Sequence, residues 1–270
     1  MKTADISARL VIAEEIARRA GALALDYFRA RDTLTIETKR HLTDLVSEAD
    51  REVETMIRRA LAQAFPHDAQ LGEEHGLTPG TTGVTWVIDP IDGTAPYLSG
   101  LPGWCVSIGA CDANGPLIGV IEVPMLGEHF AAMRGQGARL NGNPIQVSDK
   151  ALDEGLLGVG ANDRVPAARV GEMLAALSEA GSSWVRYGSG ALMLAWVAAG
   201  RLVGYAEPRM SAWDCMAGYC LIEAAGGRCL AFPQGESLER PAAVLGANEA
   251  AFDAILRTCH LENNRYWSGG

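Results

Sequence analysis

The sequence has few of the features that mark whole classes of protein. Its 270 residues include five scattered histidines and six cysteines, with no CxxC pair and no histidine at zinc spacing. A structural zinc site is therefore not indicated. No apolar run approaches the roughly 20 residues that span a bilayer, and the N-terminus lacks an apolar signal core. We expect a cytoplasmic protein with no membrane attachment, whose thiols are reduced and mostly buried.

Positive charge is also scarce. The chain has 23 Lys and Arg against 33 Asp and Glu, a net charge of −10, and no basic block. A nucleic-acid partner is therefore not expected. No glycine-rich phosphate loop follows a strand, since Gly188-Ser189-Gly190 fits neither GxGxxG nor GxxxxGK[ST], which argues against a nucleotide-binding protein. A chain this acidic needs cations or backbone dipoles to hold an anionic substrate.

What the sequence does contain is a buried strand that ends in acids. The apolar run Val84–Ile88 leads into Asp89-Pro90-Ile91-Asp92-Gly93-Thr94. At the end of a strand, two carboxylates beside free backbone N–H groups suit a divalent cation that holds a phosphate. The alternative is an ordinary polar turn. These residues alone leave both interpretations open.

The spacing of apolar residues predicts helices near 7–29, 167–180 and 215–225, and a further helix that opens at Ser47-Glu48-Ala49-Asp50. Strands are predicted at 33–39, 156–160 and 202–207, with an antiparallel region over 101–130 that turns at Asp112–Gly115. A further helix should begin at Gly188–Ala191 and end at Gly200. We expect a mixed α/β fold in two halves, residues 1–150 and 151–270.

Two further acids are ambiguous by themselves. Asp50 stands in the first turn of the second predicted helix, where the helix dipole favours an acid without any catalytic role. Glu73, in Gly72-Glu73-Glu74, would ordinarily belong to a solvated loop. It lies only a short distance before the Asp89 strand, however, so it could reach the same site.

Three separated signals agree on a family. They are Gly72-Glu73-Glu74, the Asp89–Thr94 stretch, and Trp213-Asp214 with the tail Glu223-Ala224-Ala225-Gly226-Gly227. Together they resemble the inositol monophosphatase family of magnesium-dependent, lithium-sensitive phosphatases. The resemblance covers nearly the whole chain. It implies a layered αβαβα sandwich, of the type shared with fructose-1,6-bisphosphatase, whose site lies between the two halves.

The resemblance implies a set of metal ligands. Glu73, Asp89 and the carbonyl of Ile91 correspond to ligands of a first Mg²⁺, and Asp89, Asp92 and Asp214 to ligands of a second. A third, weaker metal is implied near Glu73. Mn²⁺ is expected to substitute, and Ca²⁺ and Li⁺ to inhibit.

The resemblance also implies catalytic roles. The N–H groups of Gly93 and Thr94 correspond to phosphate donors, while Thr94, Asp50 and Glu73 correspond to the groups that orient and deprotonate the attacking water. The chain departs from the family at Ala95-Pro96-Tyr97, where Asn or another residue followed by an aromatic is common. Pro96 has no backbone N–H. The N–H at this position is not among the expected phosphate donors, so catalysis should survive.

The substrate end is less defined. Glu207 corresponds to a carboxylate that binds a sugar hydroxyl or the ammonium of histidinol phosphate, and the alternative is a simple strand-end acid. Ala191 is placed by the resemblance beside the substrate alcohol. Arg186 and Arg209 could meet a second anionic group, although surface solubility accounts equally well for Arg209.

We therefore expect a phosphomonoesterase that acts on a small alcohol phosphate, with inositol 1-phosphate first and histidinol phosphate next. Fructose 1,6-bisphosphate and 3′-phosphoadenosine 5′-phosphate are further family substrates. An alternative of another class is a non-catalytic relative that binds metal or a protein partner, although every expected acid is present. Family members are commonly homodimers, to which Trp104 or Trp184 could contribute.

Overall fold

The computed structural model describes residues 3–30, 36–38 and 45–262. The helices in these ranges are α1 (Thr3–Arg29), α2 (Glu48–Ala64), α3 (Thr94–Leu98), α4 (Ala167–Glu179), α5 (Gly190–Ala198), α6 (Ala212–Ala224) and α7 (Glu249–Thr258). None of these helices is both long enough and apolar enough to cross a membrane.

The strands within the same ranges form three sheets. They are β1 (Ile36–Thr38), β2 (Leu45–Ser47), β3 (Ala69–Gly72), β4 (Gly76–Thr78), β5 (Thr85–Asp92), β6 (Cys105–Asp112), β7 (Gly115–Val123), β8 (Glu128–Met133), β9 (Ala138–Leu140), β10 (Asn143–Ile145), β11 (Leu156–Val159), β12 (Ser183–Val185), β13 (Gly204–Met210), β14 (Arg228–Cys229) and β15 (Ala242–Ala247).

The larger sheet has the order β10-β9-β8-β7-β6-β5-β3-β4. Its neighbours are antiparallel, except that β3 and β5 run parallel. A two-residue turn joins β6 to β7, as the Asp112–Gly115 signal predicts. The smaller sheet has the order β12-β11-β13-β15-β14, in which β11 is parallel to both β12 and β13. The carboxyl ends of β11 and β13 therefore meet at one edge.

Alternation along the strands separates the layers. In β5, Trp86 and Ile88 pack against α1 and α2, while Val87 between them packs toward α5 and α6. In β15, Val244 joins that same middle layer, and Leu245 packs outward against α4 and α7. The eight-stranded and five-stranded sheets thus each have helices on both faces, and the predicted αβαβα sandwich is confirmed.

Several predicted boundaries need correction. Helix α6 begins at Ala212, so Asp214 lies inside its first turn rather than before it. Strand β13 runs to Met210, beyond the predicted end at Glu207. Of the strand predicted over 33–39, only Ile36–Thr38 falls within the described residues, where it pairs with β2. Lys39, the last residue of that predicted strand, lies outside them.

The two halves share a core. The strands of the larger sheet come from residues 69–145 and those of the smaller sheet from 156–247. Helices α5 and α6, from the second half, nevertheless pack against both sheets and join one apolar cluster with them. The division at residue 150 therefore stays a prediction.

The structure bears on the predictions for the cysteines and for the two tryptophans. All six cysteines are free and five of them are buried, which agrees with the prediction of unbridged thiols. Trp104 is fully buried, with its ring centroid 4.9 Å from that of Tyr97 and 5.5 Å from that of Phe28. It cannot face a partner subunit, so a role for Trp104 in a dimer interface is wrong. Trp184 is 40% exposed.

Candidate active site

A β-bulge brings the two acids of the Asp89–Thr94 stretch to one cavity. Strand β5 continues through both acids rather than ending before them. Asp89 pairs with Ser107 and Asp92 with Cys105, so β5 has one residue more than β6 between these pairs. In a regular strand, residues three apart point to opposite faces. The extra residue removes that conflict, and both carboxylates line the same cavity of about 250 Å³.

Two other elements add acids beside Asp89. Glu73 directly follows β3, and its N–H donates to the carbonyl of Ile88 on the parallel strand β5 (3.3 Å). Asp214 belongs to a capping box at the start of α6, where Oδ2 accepts from the N–H of Ser211 (3.3 Å). One carboxylate oxygen each from Glu73, Asp89 and Asp214 lies within 4.8 Å of the others.

The electrostatics of this acid cluster favour a cation. Asp89 is 1% exposed. Its burial, followed by the charges of Glu73, Asp92 and Asp214, raises its pKa well above the ordinary value. Burial, followed by the charge of Asp92, raises the pKa of Asp214 to about 7. A hydrogen bond joins the Asp89 and Asp214 side chains. Oxygen ligands at this spacing fit a hard divalent ion, whose charge would offset the mutual repulsion.

Asp92 is held from the other side of the cavity by the start of α5. Its Oδ2 accepts from the hydroxyl of Ser189 (2.5 Å) and from the N–H of Ala191 (2.7 Å). Burial raises the pKa of Asp92, and these hydrogen bonds oppose that effect. Asp92 lines the cavity but is not one of the three acids that lie within 4.8 Å of one another. Its predicted role as a metal ligand stays a prediction.

Gly93 and Thr94 line the cavity next to the bulge. Gly93 has φ 95°, and a Cβ there would lie 2.8 Å from the carbonyl of Gly103, so the position requires glycine. The hydroxyl of Thr94 donates to the carbonyl of Ile91 (3.2 Å). A further hydrogen bond runs from the N–H of Ile91 to Oδ1 of Asp89 (3.0 Å). The whole turn is therefore fixed by its own hydrogen bonds.

Asp50 is 2% exposed in the first turn of α2 and is not among the residues that line the cavity. Its charge contributes, after burial, to a raised pKa of Tyr97. Tyr97 belongs to α3, three residues after Thr94, so Asp50 approaches the same short helix. The catalytic pair of Asp50 and Thr94 stays a prediction.

Glu207 lines the same cavity and is clamped by two hydrogen bonds. Its Oε2 accepts from the hydroxyl of Tyr205 (2.5 Å), and its Oε1 accepts from Nδ2 of Asn162 (3.0 Å), which also donates to the carbonyl of Arg209 (2.7 Å). Burial raises the pKa of Glu207 to about 7, while these two hydrogen bonds lower it. A Cβ at Gly160 would overlap the carboxylate, which explains the glycine there.

The sequence analysis missed Asn162 and Tyr205. Tyr205 could have been found, because residues two apart on a strand share a face, and Glu207 was already a candidate. Asn162 follows β11, and only the parallel pairing of β11 with β13 brings it to Glu207. Nothing local in the sequence indicates that pairing.

Three arginines, Arg164, Arg186 and Arg209, also line the cavity. The guanidinium of Arg186 donates to the carbonyl of Ala161 (3.0 Å), and its charge slightly lowers the pKa of Glu207. The lining of the cavity thus contains both acidic and basic side chains.

A comparison with protein families identifies this arrangement. The profile of the inositol monophosphatase family matches residues 5–263. The chain belongs to the inositol monophosphatase family. Membership makes it a relative of phosphatases and accounts for the acids gathered around one cavity.

Individual relatives of this family member have different names. The chain is 34% identical to "Nus factor SuhB" of Haemophilus influenzae, over 92% of this chain and 94% of that protein. It is 38% identical to "Histidinol-phosphatase" of Chlorobaculum parvum, over 89% and 92%. The solved inositol monophosphatase of an Anabaena (Nostoc) species has a TM-score of 0.78 at 32% identity, over 95% and 96%. The family is therefore certain and the substrate is open.

The predicted site residues divide into two groups in this inositol monophosphatase-type structure. Most line one cavity, namely Glu73, Asp89, Ile91, Asp92, Gly93, Thr94, Glu207 and Asp214. Asp50 and Ala191 do not. Ala191 is fully buried, and its N–H is directed to Asp92 rather than to the cavity. The proposed contact of Ala191 with a substrate alcohol has no support from its position and stays a prediction.

Proposed function

We propose that this protein is a Mg²⁺-dependent phosphomonoesterase that hydrolyses a small alcohol phosphate, with inositol 1-phosphate as the first candidate. The observation that carries the proposal is the cluster of Glu73, Asp89 and Asp214 beside the Gly93-Thr94 turn. Family membership supports a phosphatase, and the oxygen-only donor set supports a hard divalent cation. We further propose a cytoplasmic homodimer.

The acids have assigned positions in this proposal. Glu73, Asp89 and the carbonyl of Ile91 would hold one ion, Asp89, Asp92 and Asp214 a second, and a third would bind weakly near Glu73. When bound, Mg²⁺ supplies positive charge against the phosphoryl oxygens and lowers the pKa of water. Mn²⁺ is expected to replace Mg²⁺, while Ca²⁺ and Li⁺ should inhibit.

Other residues position the substrate and the attacking water. The N–H groups of Gly93 and Thr94 would donate to phosphate oxygens at the turn that the bulge creates. The hydroxyl of Thr94 donates to the carbonyl of Ile91, which leaves its oxygen lone pairs to accept a hydrogen bond from the attacking water. Glu73, together with the pair of Thr94 and Asp50, would orient that water and take its proton, as general bases do.

Glu207 supports two substrates equally. A carboxylate accepts from the hydroxyls of inositol or from the ammonium of histidinol, so histidinol phosphate is the alternative. The similarity to the Chlorobaculum parvum protein agrees with that alternative. Fructose 1,6-bisphosphate and 3′-phosphoadenosine 5′-phosphate rank after these two. Arg186 and Arg209 line the cavity and could meet the second anionic group of such a substrate.

An alternative of a different class is a binding role without catalysis. The name "Nus factor" of the Haemophilus influenzae relative motivates it. A chain that had lost catalysis would be expected to lack one of the cavity acids. Glu73, Asp89, Asp92 and Asp214 are all present, so we weigh the enzyme above the binding protein.

The test is phosphate release from a panel of the four named substrates, with Mg²⁺, with EDTA, and with Mg²⁺ plus Li⁺. We expect strong turnover of one substrate, loss of turnover in EDTA, and inhibition by Li⁺. The Asp89→Asn variant is the matched control for contaminating phosphatases. Turnover that persists in EDTA would refute the metal dependence. A folded protein that binds Mg²⁺ and hydrolyses none of the four would refute the proposed substrates.

A further inference from the structure

A buried acid outside the cavity contacts the loop that carries Glu73. Glu54 on α2 is fully buried, and it is not among the residues that line the cavity. It stands one helical turn after Asp50, on the same face of α2. Burial of a carboxylate is unfavourable unless hydrogen bonds and a counter-charge compensate for the lost water. Its partners therefore indicate what Glu54 does.

Those partners are the backbone of the Glu73 loop. Oε2 of Glu54 accepts from the N–H of Glu74 (2.7 Å), and Oε1 accepts from the N–H of His75 (3.3 Å). The N–H of Glu73 itself donates to Ile88 on β5 (3.3 Å). Three consecutive N–H groups are thus fixed, two by Glu54 and one by the strand that delivers Asp89.

Arg58 extends this support to the other side of the loop. Its Nη1 donates to Oε1 of Glu54 (3.1 Å) and to the carbonyl of Gly76 (3.1 Å). Its Nη2 donates to the hydroxyl of Thr78 on β4 (2.6 Å). The side chain of Arg58 is 13% exposed, so the pair is largely removed from solvent. Side chains of α2 therefore hold the loop at Glu74, His75 and Gly76.

The glycine of the Gly72-Glu73-Glu74 motif has a matching explanation. A Cβ at Gly72 would overlap both carboxylate oxygens of Glu54. Gly72 is the last residue of β3 and is buried. The motif therefore combines Glu73, which lines the cavity, with Gly72, whose missing side chain leaves room for the Glu54 carboxylate.

We propose that Glu54 is a positioning residue for metal binding, which acts by fixing the backbone that aims the Glu73 carboxylate at Asp89 and Asp214. This role rests on the proposed metal-dependent function. Groups that orient metal ligands typically change metal affinity about 10- to 100-fold when they are mutated. A purely structural role would change stability and leave the affinity of the folded protein unaltered.

The test measures binding of Mn²⁺ alone to the full chain without substrate, from the loss of the free-ion signal in electron paramagnetic resonance. The variant is Glu54→Gln, which retains the volume but presents an amide donor to groups that are themselves donors. We expect affinity to fall about 10- to 100-fold.

The matched control is Asp68→Asn. Asp68 is also a buried acid, at the opposite end of β3, and it pairs with Arg9 (2.9 Å) without contacting the Glu73 loop. We expect this variant to unfold at lower temperature than the wild type and to bind Mn²⁺ as the wild type does.

Two results would overturn the role of Glu54, and a third would refute the metal site on which that role rests. One is wild-type Mn²⁺ affinity in folded Glu54→Gln, and another is an equal loss of affinity in Asp68→Asn. The third is an absence of Mn²⁺ binding by the wild-type chain, which would instead refute the metal site itself. If Glu54→Gln does not fold, Gly72→Ala decides by the same criterion, because its Cβ displaces the Glu54 carboxylate without removing it.

Discussion

Removal of a single hydroxyl, in Tyr205→Phe, tests how the cavity recognises its substrate. Tyr205 is almost completely buried, and its hydroxyl donates to Oε2 of Glu207 at 2.5 Å. Phenylalanine retains the ring and removes only that donor. If the ionised Glu207 accepts a hydrogen bond from the substrate, the substitution should act through the pKa of this carboxylate.

The size of the effect follows from the hydrogen bond. Burial raises the pKa of Glu207 to about 7, and the Tyr205 hydroxyl opposes the rise. A hydrogen bond to a charged group contributes about 1.5 to 3 kcal/mol. At about 1.4 kcal/mol per pKa unit, its loss should raise the pKa of Glu207 by about one to two pH units. Glu207 would then be protonated over most of the neutral range.

The assay is KM for the preferred substrate in both proteins from about pH 6 to 9.5. Because only the ionised carboxylate accepts a hydrogen bond at both oxygens, the ratio of the variant KM to the wild-type KM should reach about 10 to 100 near pH 6. The ratio should approach one near pH 9.5. Titration of the substrate phosphate and of the metal ligands affects both proteins and cancels in this ratio.

Tyr219→Phe is the matched control. Tyr219 is equally buried, and its hydroxyl accepts from the N–H of Leu245 (3.2 Å), with no part in the Glu207 clamp. Its KM ratio should be independent of pH. A flat ratio for Tyr205→Phe as well would refute the reasoning, because the substrate would then not depend on the ionisation of Glu207.

Three further predictions concern the acid cluster and the turn beside it. Asp89→Asn should lower kcat by orders of magnitude with an unchanged circular dichroism spectrum, and near-normal kcat would refute the metal assignment. The folded pKa of Asp214 is about 7, above its ordinary value of 3.8, so in EDTA this group lowers stability increasingly as pH rises from about 4 to 7. The rise in Tm on adding Mg²⁺ should therefore be larger at pH 8 than at pH 5, and an equal rise would contradict the cluster. Gly93→Ala should destabilise the fold by about 1 to 3 kcal/mol in urea unfolding, through positive φ and overlap with Gly103. Gly115→Ala, with φ 103° and no atom within 4 Å of the new Cβ, should cost less, and an equal loss would mean that overlap is unimportant.

Local sequence was sufficient for much of the fold. The apolar run before Asp89 predicts a buried strand, and apolar spacing predicts the helix over 167–180, which the structure places at Ala167–Glu179. The turn at Asp112–Gly115 is also predicted from the sequence, because the conformation of a tight turn depends on the residues in the turn itself. In each of these cases the signal and the structure involve the same short segment.

The remaining features depend on partners that are distant in sequence. The bulge in β5 exists only relative to its pairing with β6, so local sequence predicts that the strand ends at the acids, whereas it continues to Asp92. Asn162 reaches Glu207 only because β11 lies beside β13. The resemblance places Ala191 beside the substrate alcohol, yet its N–H donates to Asp92, 99 residues away. The sequence gives no indication of a role for Glu54, because its backbone partners at Glu74 and His75 lie 20 and 21 residues away.

Asp68 differs from Asp89 and Asp214 in what surrounds its carboxylate, and the contrast argues for the site. Burial alone would raise the pKa of Asp68, but hydrogen bonds from Arg9 and Thr82 outweigh it and leave the pKa below its usual value. Burial also raises the pKa of Asp89 and Asp214, and neighbouring carboxylates raise both further. Acids such as Asp68 stabilise the fold at neutral pH, because the folded state favours their charge. Acids such as Asp89 and Asp214 destabilise the fold when no cation is bound, because the folded state disfavours their charge. A fold that keeps several such acids around one cavity gives up stability there, which is typical of a site selected for binding.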